Sequence, residues 1–99
     1  MNKCIIIGNV TADIELQNKK KLDYARFSVA VNRYNEGTDF FKVVVFGEQA
    51  KNCAKYLKKG SKVAVFGAMQ LDEYITKNGD KAVAASLIAH SVEFLQSAK

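Results

Sequence analysis

The 99-residue sequence contains no proline and no tryptophan, and only two cysteines and one histidine. Cys4 and Cys53 are far apart and form no CxxC pair, which argues against a disulfide framework and against a zinc site. We therefore expect two buried thiols in a reducing compartment, with no metal and no cofactor. The sequence also lacks an uncharged apolar run of roughly 18 residues, which a membrane-spanning helix needs, and it lacks a signal-peptide pattern. A cytoplasmic protein with no membrane partner is expected.

The size and charge of the chain narrow its class further. A chain of 99 residues can form one hydrophobic core, so we expect a single domain over residues 1–99. Lys and Arg number 15 against 10 Asp and Glu, which gives a net charge of +5 and a pI near 9.3. This modest excess favours an anionic partner without identifying it.

Five segments have the pattern of β-strands. Residues 24–32 alternate cleanly, because Ala25 and Phe27 fall on one face while Tyr24 and Arg26 fall on the other. The remaining strand segments are residues 3–10, 39–47, 61–71 and 82–95. The Asn78-Gly79 pair predicts a hairpin turn between the last two strands.

The segment between the third and fourth strands has helical spacing. Its apolar residues recur at i, i+3, i+4 and i+7 and form one stripe: Ala50, Cys53, Ala54 and Leu57. We expect this helix to end at Gly60, with Lys58 and Lys59 in its last turn. The predicted order is therefore three strands, one helix and two strands.

This order is typical of one all-β architecture. A small sheet must hide its edges, and a short chain does so by closing into a barrel. The sequence therefore predicts a five-stranded Greek-key OB-fold barrel with its helix between strands 3 and 4.

No catalytic constellation is recognisable. His90 is the only histidine, and nothing in the sequence brings either cysteine to it. Asp72 and Glu73 are adjacent on a strand, so they point to opposite faces and make a poor acid–base pair. The segment Lys58-Lys59-Gly60-Ser61 lacks the first glycine and the spacing of a phosphate loop. We therefore do not expect an enzyme.

The third strand carries aromatic rings beside a cation. Phe40, Lys42 and Phe46 alternate with the apolar face of that strand and would project outward together. Bases stack on such rings and a neighbouring lysine meets the phosphate, so the pattern is typical of single-strand binding. The alternative interpretation is that one or both rings belong to the barrel core or to a subunit interface.

Two hairpin tips offer further candidates. Tyr74 and Lys77 lie near the Asn-Gly turn, where the ring could be a base platform or a cross-strand packing residue. Arg33 and Tyr34 lie at another predicted tip, where a cation and a ring can reach a ligand.

Several segments, in order along nearly the whole chain, resemble bacterial and phage single-stranded DNA-binding proteins. They are Met1-Asn2-Lys3, Ile6-Ile7-Gly8-Asn9-Val10-Thr11, Asp13-Ile14-Glu15-Leu16, residues 25–33, residues 40–47, Tyr56-Leu57-Lys58-Lys59-Gly60-Ser61 and Val65-Phe66-Gly67. The resemblance implies an OB-fold that assembles as a homo-oligomer, with a tetramer favoured over a dimer. It also implies that single-stranded DNA is bound, with RNA left open as a ligand.

The resemblance also implies roles for particular residues. Phe40 falls where the family usually has a stacking Trp, and Phe46 and Tyr74 fall at other aromatic positions of the family. The positions that are often basic in the family are Lys3, Arg33, Lys42 and Lys59. Together with Tyr34 and Lys77, these residues form the expected stacking and phosphate-binding set.

Some positions depart from the family pattern. Gln70, Asp72 and Glu73 stand where a basic run is common, and Glu48 stands where a Lys is common. No acidic, Phe-tipped tail follows residue 95, so we expect a tail-less phage or mobile-element type, or the core of a longer protein, with no tail to recruit partner proteins.

The function expected from these observations is sequence-independent binding and protection of single-stranded DNA in replication, recombination and repair. A rival hypothesis is an OB-fold protein-interaction module, such as a primosome accessory protein, in which the exposed Phe pair meets another protein.

Overall fold

The computed structural model describes residues 1–96 of the chain. Its elements in chain order are β1 (Cys4–Val10), β2 (Leu16–Lys19), β3 (Leu22–Asn32), β4 (Thr38–Phe46), α1 (Gly47–Tyr56), β5 (Lys62–Ile75) and β6 (Lys81–Gln96). The helix within these residues, α1, has ten residues and is too short to span a bilayer.

The strand pairings form a ring. β1 pairs with β5, β5 with β6, β6 with β4, β4 with β3, and β3 again with β1. The β4–β6 pairing is parallel and the others are antiparallel. This strand order, with one helix before β5, is that of the expected OB-fold, so the predicted fold class is confirmed.

The sheet has one strand more than the five expected. β2 forms a hairpin with the start of β3, from Leu16 opposite Ala25 to Lys19 opposite Leu22. Its turn is made by Lys20 and Lys21, whose φ angles are 53° and 65°. Glycine or asparagine usually occupies such positions. The sequence pattern therefore gave no turn signal here, and the hairpin was not predicted.

The helix ends earlier than predicted. α1 stops at Tyr56, and Lys58 and Lys59 lie beyond it, not in its last turn. The following segment finds hydrogen-bond partners outside the helix. Gly60 donates its backbone N–H to the Val10 carbonyl at 2.8 Å, and Lys58 donates its N–H to the Ser61 hydroxyl at 3.0 Å. These bonds to the end of β1 and within the turn replace the extra helical turn that the lysines suggested.

The core lies inside the ring and follows the period of two. On β3 and β4, Ala25, Val29, Val43 and Val45 are fully buried, whereas their sequence neighbours lie on the outer face. The backbones of β5 and β6 approach closely at Gly67, where an added Cβ would lie 2.0 Å from the Ile88 carbonyl oxygen. Only glycine lets these two backbones approach so closely.

The hairpin of β5 and β6 is longer than expected. β5 continues to Ile75 and not only to residue 71, so Tyr74 lies on the strand, opposite Ala82. The turn itself follows the prediction. Gly79 has a φ of 86°, and Thr76 donates its N–H to the Asp80 carbonyl at 2.9 Å.

Candidate nucleic-acid interface

The outer face of β3 and β4 carries rings and cations in register. Phe46 lies directly opposite Tyr24 across the two strands, and Lys42 lies opposite Ser28. Directly paired side chains of an antiparallel sheet have Cβ atoms about 5 Å apart and share one face. The alternation that buries Val43 and Val45 therefore places Phe46, Tyr24 and Lys42 together on the outside.

A groove of about 970 Å³ runs over this face. Its floor is formed by residues of β3, β4 and β6: Tyr24, Arg26, Phe27, Ser28, Lys42, Val43, Val44, Phe46, Ser86 and Ile88. Lys19, Lys20 and Leu22 of the β2–β3 hairpin also line it, as do Gln70 and Asp72 of β5. We call this the β3–β4 groove.

The β3–β4 groove is mainly cationic. Lys19, Lys20, Arg26 and Lys42 line it, against a single carboxylate from Asp72. The Arg26 guanidinium carbon lies 5.5 Å from the centre of the Tyr24 ring, which is within the range of a cation–π contact. A planar base and an anionic backbone are the groups that such a surface can bind together.

The expected residues of β4 lie on this outer face. Phe46 and Lys42 line the groove, and their side chains are exposed, with Phe46 at 42% of its full accessible area. Phe40 is 67% exposed and lies about 20 Å from Phe46, six residues along the same strand. It lies on the same face but outside the groove lining. Neither ring is in the buried core of residues 1–96.

Arg33, an expected phosphate ligand, forms an ion pair with Asp39. Its Nη2 lies 2.8 Å from Oδ1 of Asp39, and its Nε donates to the same oxygen at 2.9 Å. This hydrogen bond, together with the charge attraction, raises the pKa of Arg33 and lowers the pKa of Asp39. Because both side chains are exposed, such a pair contributes little to stability and can exchange for a phosphate.

The other expected residues are more dispersed. Tyr74 is half exposed and lies on the same face of β5 as Asp72, further out along the hairpin. Tyr34 is fully exposed in the loop between β3 and β4. The expected cations that are exposed but outside the groove lining are Lys3, Lys59 and Lys77. The structure therefore places Phe46 and Lys42 in the lining of one groove, whereas the tyrosines and lysines named in this paragraph lie outside that lining.

Among the groove residues that carry a cation or an outward-facing ring, four were missing from the expected set: Lys19, Lys20, Tyr24 and Arg26. For two of them the signal was present, because the alternation of residues 24–32 already put Tyr24 and Arg26 on the face opposite the core. Lys19 and Lys20 could be placed only with the β2–β3 hairpin, which has no glycine, asparagine or proline in its turn.

Two other surface grooves are less suited to a polyanion. The lining residues of one, between α1 and the end of β6, are uncharged: Gln49, Asn52, Cys53, Tyr56, Val92 and Phe94. The lining of the other includes two carboxylates: Asp13, Glu15, Gln17, Tyr24 and Arg26. The β3–β4 groove, with four cations, is therefore the candidate site.

Comparison with protein families gives a match over nearly the whole chain. The model described as "Single-strand binding protein family" matches residues 1–95. This range contains every element of the fold except the last residue of β6.

Individual relatives are named single-stranded DNA-binding proteins. The single-stranded DNA-binding protein of Onion yellows phytoplasma (strain OY-M) is 38% identical over 101 residues, covering 98% of this chain and 96% of that protein. Single-stranded DNA-binding protein 1 of Staphylococcus aureus (strain Mu50) is 36% identical over 103 residues, and single-stranded DNA-binding protein 2 of strain COL is 35% identical. The alignments span 66% and 74% of those two staphylococcal proteins.

Proposed function

The chain belongs to the single-strand binding protein family, and from this premise we propose that its β3–β4 groove binds single-stranded DNA without a defined recognition sequence. The observation that carries the proposal is the exposed Phe46 ring, opposite Tyr24 and diagonal to Arg26, with Lys42 four residues along the same face of β4. An exposed ring in a cationic groove is the arrangement on which bases stack whatever their identity. The family consists of non-enzymatic DNA-binding proteins, so we assign no catalytic step.

Stacking supplies the part of the affinity that does not depend on charge. Phe46 is the central platform, and Phe40 is a second one on the same strand. Tyr74 on β5 and Tyr34 in the β3–β4 loop are two further rings outside the groove that we assign to stacking. Each stacked base contributes about 1–3 kcal/mol.

Cations hold the phosphates. Lys42 lies between Phe40 and Phe46 on the outer face of β4 and can reach the backbone of a base stacked on either one. The groove adds Lys19, Lys20 and Arg26. Along the rest of the path we assign phosphate contacts to Lys3, Arg33, Lys59 and Lys77, with Arg33 leaving Asp39 when the strand binds.

We also propose that the chain is a homo-oligomer, with a tetramer favoured over a dimer. Ile5 and Ile7 are exposed on the outer side of β1. Within residues 1–96, β3 pairs with β1 only at Asn9 and Val10, so the rest of that edge of β1 has no strand partner. Natural proteins cover such an edge, and a second copy of the chain would do so. Light scattering of the purified chain should give a mass above 11.0 kDa, and a monomer at micromolar concentration would contradict this.

The binding proposal is tested by a fluorescence-anisotropy titration of labelled oligo-dT against a duplex of equal length. We expect tight binding of oligo-dT and weak binding of the duplex, because paired bases cannot stack on Phe46. If about five of these eight cations each neutralise one phosphate, the slope of log Kobs against log salt is near −3.5, and affinity falls roughly 100-fold between about 50 and 200 mM salt. A slope of zero, or equal binding of both forms, would refute the proposal.

The protein-interaction alternative makes a different prediction. A surface evolved for a protein partner would bind neither oligo-dT nor duplex in that titration. The family match and the names of the relatives favour DNA binding over this alternative.

A further inference from the structure

Tyr24 places a second aromatic ring beside Phe46 on the outer face of the sheet. The two residues are directly opposite each other in the register of β3 and β4, and both line the β3–β4 groove. Side chains paired in this way have Cβ atoms about 5 Å apart. Within residues 1–96 the two rings in contact with each other are those of Tyr56 and Phe94. The faces of the Tyr24 and Phe46 rings are therefore not packed against each other.

A cation lies over the Tyr24 ring. Arg26 is two residues further along β3, so its side chain is on the same face of the sheet as Tyr24. Its guanidinium carbon is 5.5 Å from the centre of the ring. Lys42 is diagonally across from Arg26, one residue pair further along β3 and β4. Like charges repel, so the guanidinium is better placed over the ring than beside Lys42.

Arg26 has no acidic partner. Asp13 and Glu15 line a neighbouring groove together with Arg26, yet within residues 1–96 no carboxylate lies at ion-pair distance from its guanidinium. The side chain is exposed, and the Tyr24 ring is the group that attracts its charge. A ligand with a phosphate can therefore bind Arg26 without breaking an ion pair.

The two groups that can cover the Tyr24 ring differ in affinity for it. A cation–π contact at an exposed site corresponds to a preference of roughly two- to fivefold, whereas a base stacked on an aromatic side chain corresponds to roughly 5- to 150-fold in affinity. A base can therefore displace the Arg26 guanidinium from the ring. A phosphate of the same strand attracts both Arg26 and Lys42, so it offsets the repulsion between them.

We propose that Tyr24 is a further base-stacking residue of the β3–β4 groove, and that Arg26 covers its ring in the free protein and moves to a phosphate when the strand binds. The inference rests on the proposed function. It adds a stacking ring beside Phe46 and an exchange of partners by Arg26.

Tyrosine fluorescence reports on this ring directly, because the chain has four tyrosines and no tryptophan. The combined substitutions Tyr34→Phe, Tyr56→Phe and Tyr74→Phe keep every ring and leave Tyr24 as the single emitter. We expect its emission to fall when the protein is saturated with oligo-dT, because a stacked base quenches the ring. The matched control combines Tyr24→Phe, Tyr34→Phe and Tyr74→Phe and keeps Tyr56, which lines the groove between α1 and β6. Its emission should stay unchanged, and light absorbed by the DNA affects both proteins equally.

Two substitutions of Tyr24 separate the ring from the hydroxyl group. Tyr24→Leu removes the ring and should lower the affinity for oligo-dT roughly 5- to 150-fold at an unchanged salt slope. Tyr24→Phe keeps the ring and should bind almost as tightly as the unmodified protein. A urea denaturation curve shows whether Tyr24→Leu is folded. If it is not, the emission of the protein with Tyr24 as its single tyrosine decides the question.

Arg26→Gln tests the exchange of partners. It removes one cation, so the salt slope should become shallower by about 0.7. Lys55→Gln is a matched control, because Lys55 also lies over a tyrosine ring, 5.2 Å from the centre of Tyr56, but outside the β3–β4 groove. It should leave the slope of the unmodified protein unchanged.

Three results would overturn the inference while the proposed function stands. They are unchanged Tyr24 emission at saturation, full affinity of a folded Tyr24→Leu protein, and a loss in Tyr24→Phe as large as that in Tyr24→Leu, which would assign the contact to the hydroxyl group. An unchanged salt slope in Arg26→Gln would overturn the exchange of partners. Absence of oligo-dT binding by the unmodified protein would instead refute the proposed function, and the role of Tyr24 with it.

Discussion

The clearest test of the stacking argument is the substitution Phe46→Leu. Leucine keeps an apolar side chain at the end of β4, so it preserves most of the contact with the sheet. It removes the flat ring on which a base can stack. Phe46 is 42% exposed and is not part of the buried core, so we expect the free energy of unfolding to change by less than about 1.5 kcal/mol.

The effect on binding should be much larger. A base stacked on an aromatic side chain contributes about 1–3 kcal/mol, which corresponds to a loss of roughly 5- to 150-fold in affinity for oligo-dT. The salt slope should stay the same, because no cation is removed. Loss of affinity at constant slope is the signature of a lost stacking contact.

The assay combines an anisotropy titration over several salt concentrations with a urea denaturation curve. Ser28→Ala is a matched control, since Ser28 lines the same groove but has no ring and no charge. It should bind oligo-dT almost as the unmodified protein does. If Phe46→Leu keeps full affinity, the ring is not a platform. If it unfolds the protein, the Phe46 ring belongs to the core and is not a free stacking surface.

Three further substitutions test the fold and its electrostatics. Gly67→Ala would put a Cβ 2.0 Å from the Ile88 carbonyl oxygen, so we expect a loss of about 3 kcal/mol or more in urea denaturation, and an unchanged midpoint would contradict the β5–β6 geometry. Burial raises the pKa of Cys53 to about 11 from 9.0, so the folded state favours the neutral thiol and its stabilisation is lost as pH rises between 9 and 11. Cys53→Ala should remove that part of the alkaline loss of stability, and an identical pH profile would argue against a buried thiol. Asp39→Asn frees Arg33 from its exposed ion pair and should tighten oligo-dT binding, at most about fivefold, whereas weaker binding would mean that Asp39 positions Arg33 for the phosphate.

Much of the fold could be predicted from the sequence, because its inner and outer faces alternate with a period of two. The alternation in residues 24–32 and 39–47 predicts two of the strands, and the Asn78-Gly79 pair predicts the last turn. The β2–β3 hairpin could not be predicted, since Lys20 and Lys21 adopt positive φ without glycine or asparagine. The predicted end of α1 was also wrong. The residues after Tyr56 are held by a hydrogen bond from Gly60 to Val10, and a bond between residues so distant in the sequence cannot be predicted from a local pattern.

The candidate site was predicted only in part. Phe46 and Lys42 follow from the alternation of one strand, and the groove contains both. Tyr24 and Arg26 were visible on the outer face of their strand, but their partners became clear only with the register that sets Tyr24 opposite Phe46. A single sequence does not contain that register, because it depends on how two strands align in space.

The central claim is that the outer face of β3 and β4 binds single-stranded DNA, and its most direct test is a map of amide chemical shifts in isotope-labelled protein titrated with oligo-dT. We expect the largest changes at Lys20, Arg26, Lys42 and Phe46, with little change in the groove between α1 and β6 around Tyr56. Changes confined to that second groove, with the β3–β4 groove unaffected, would contradict the account.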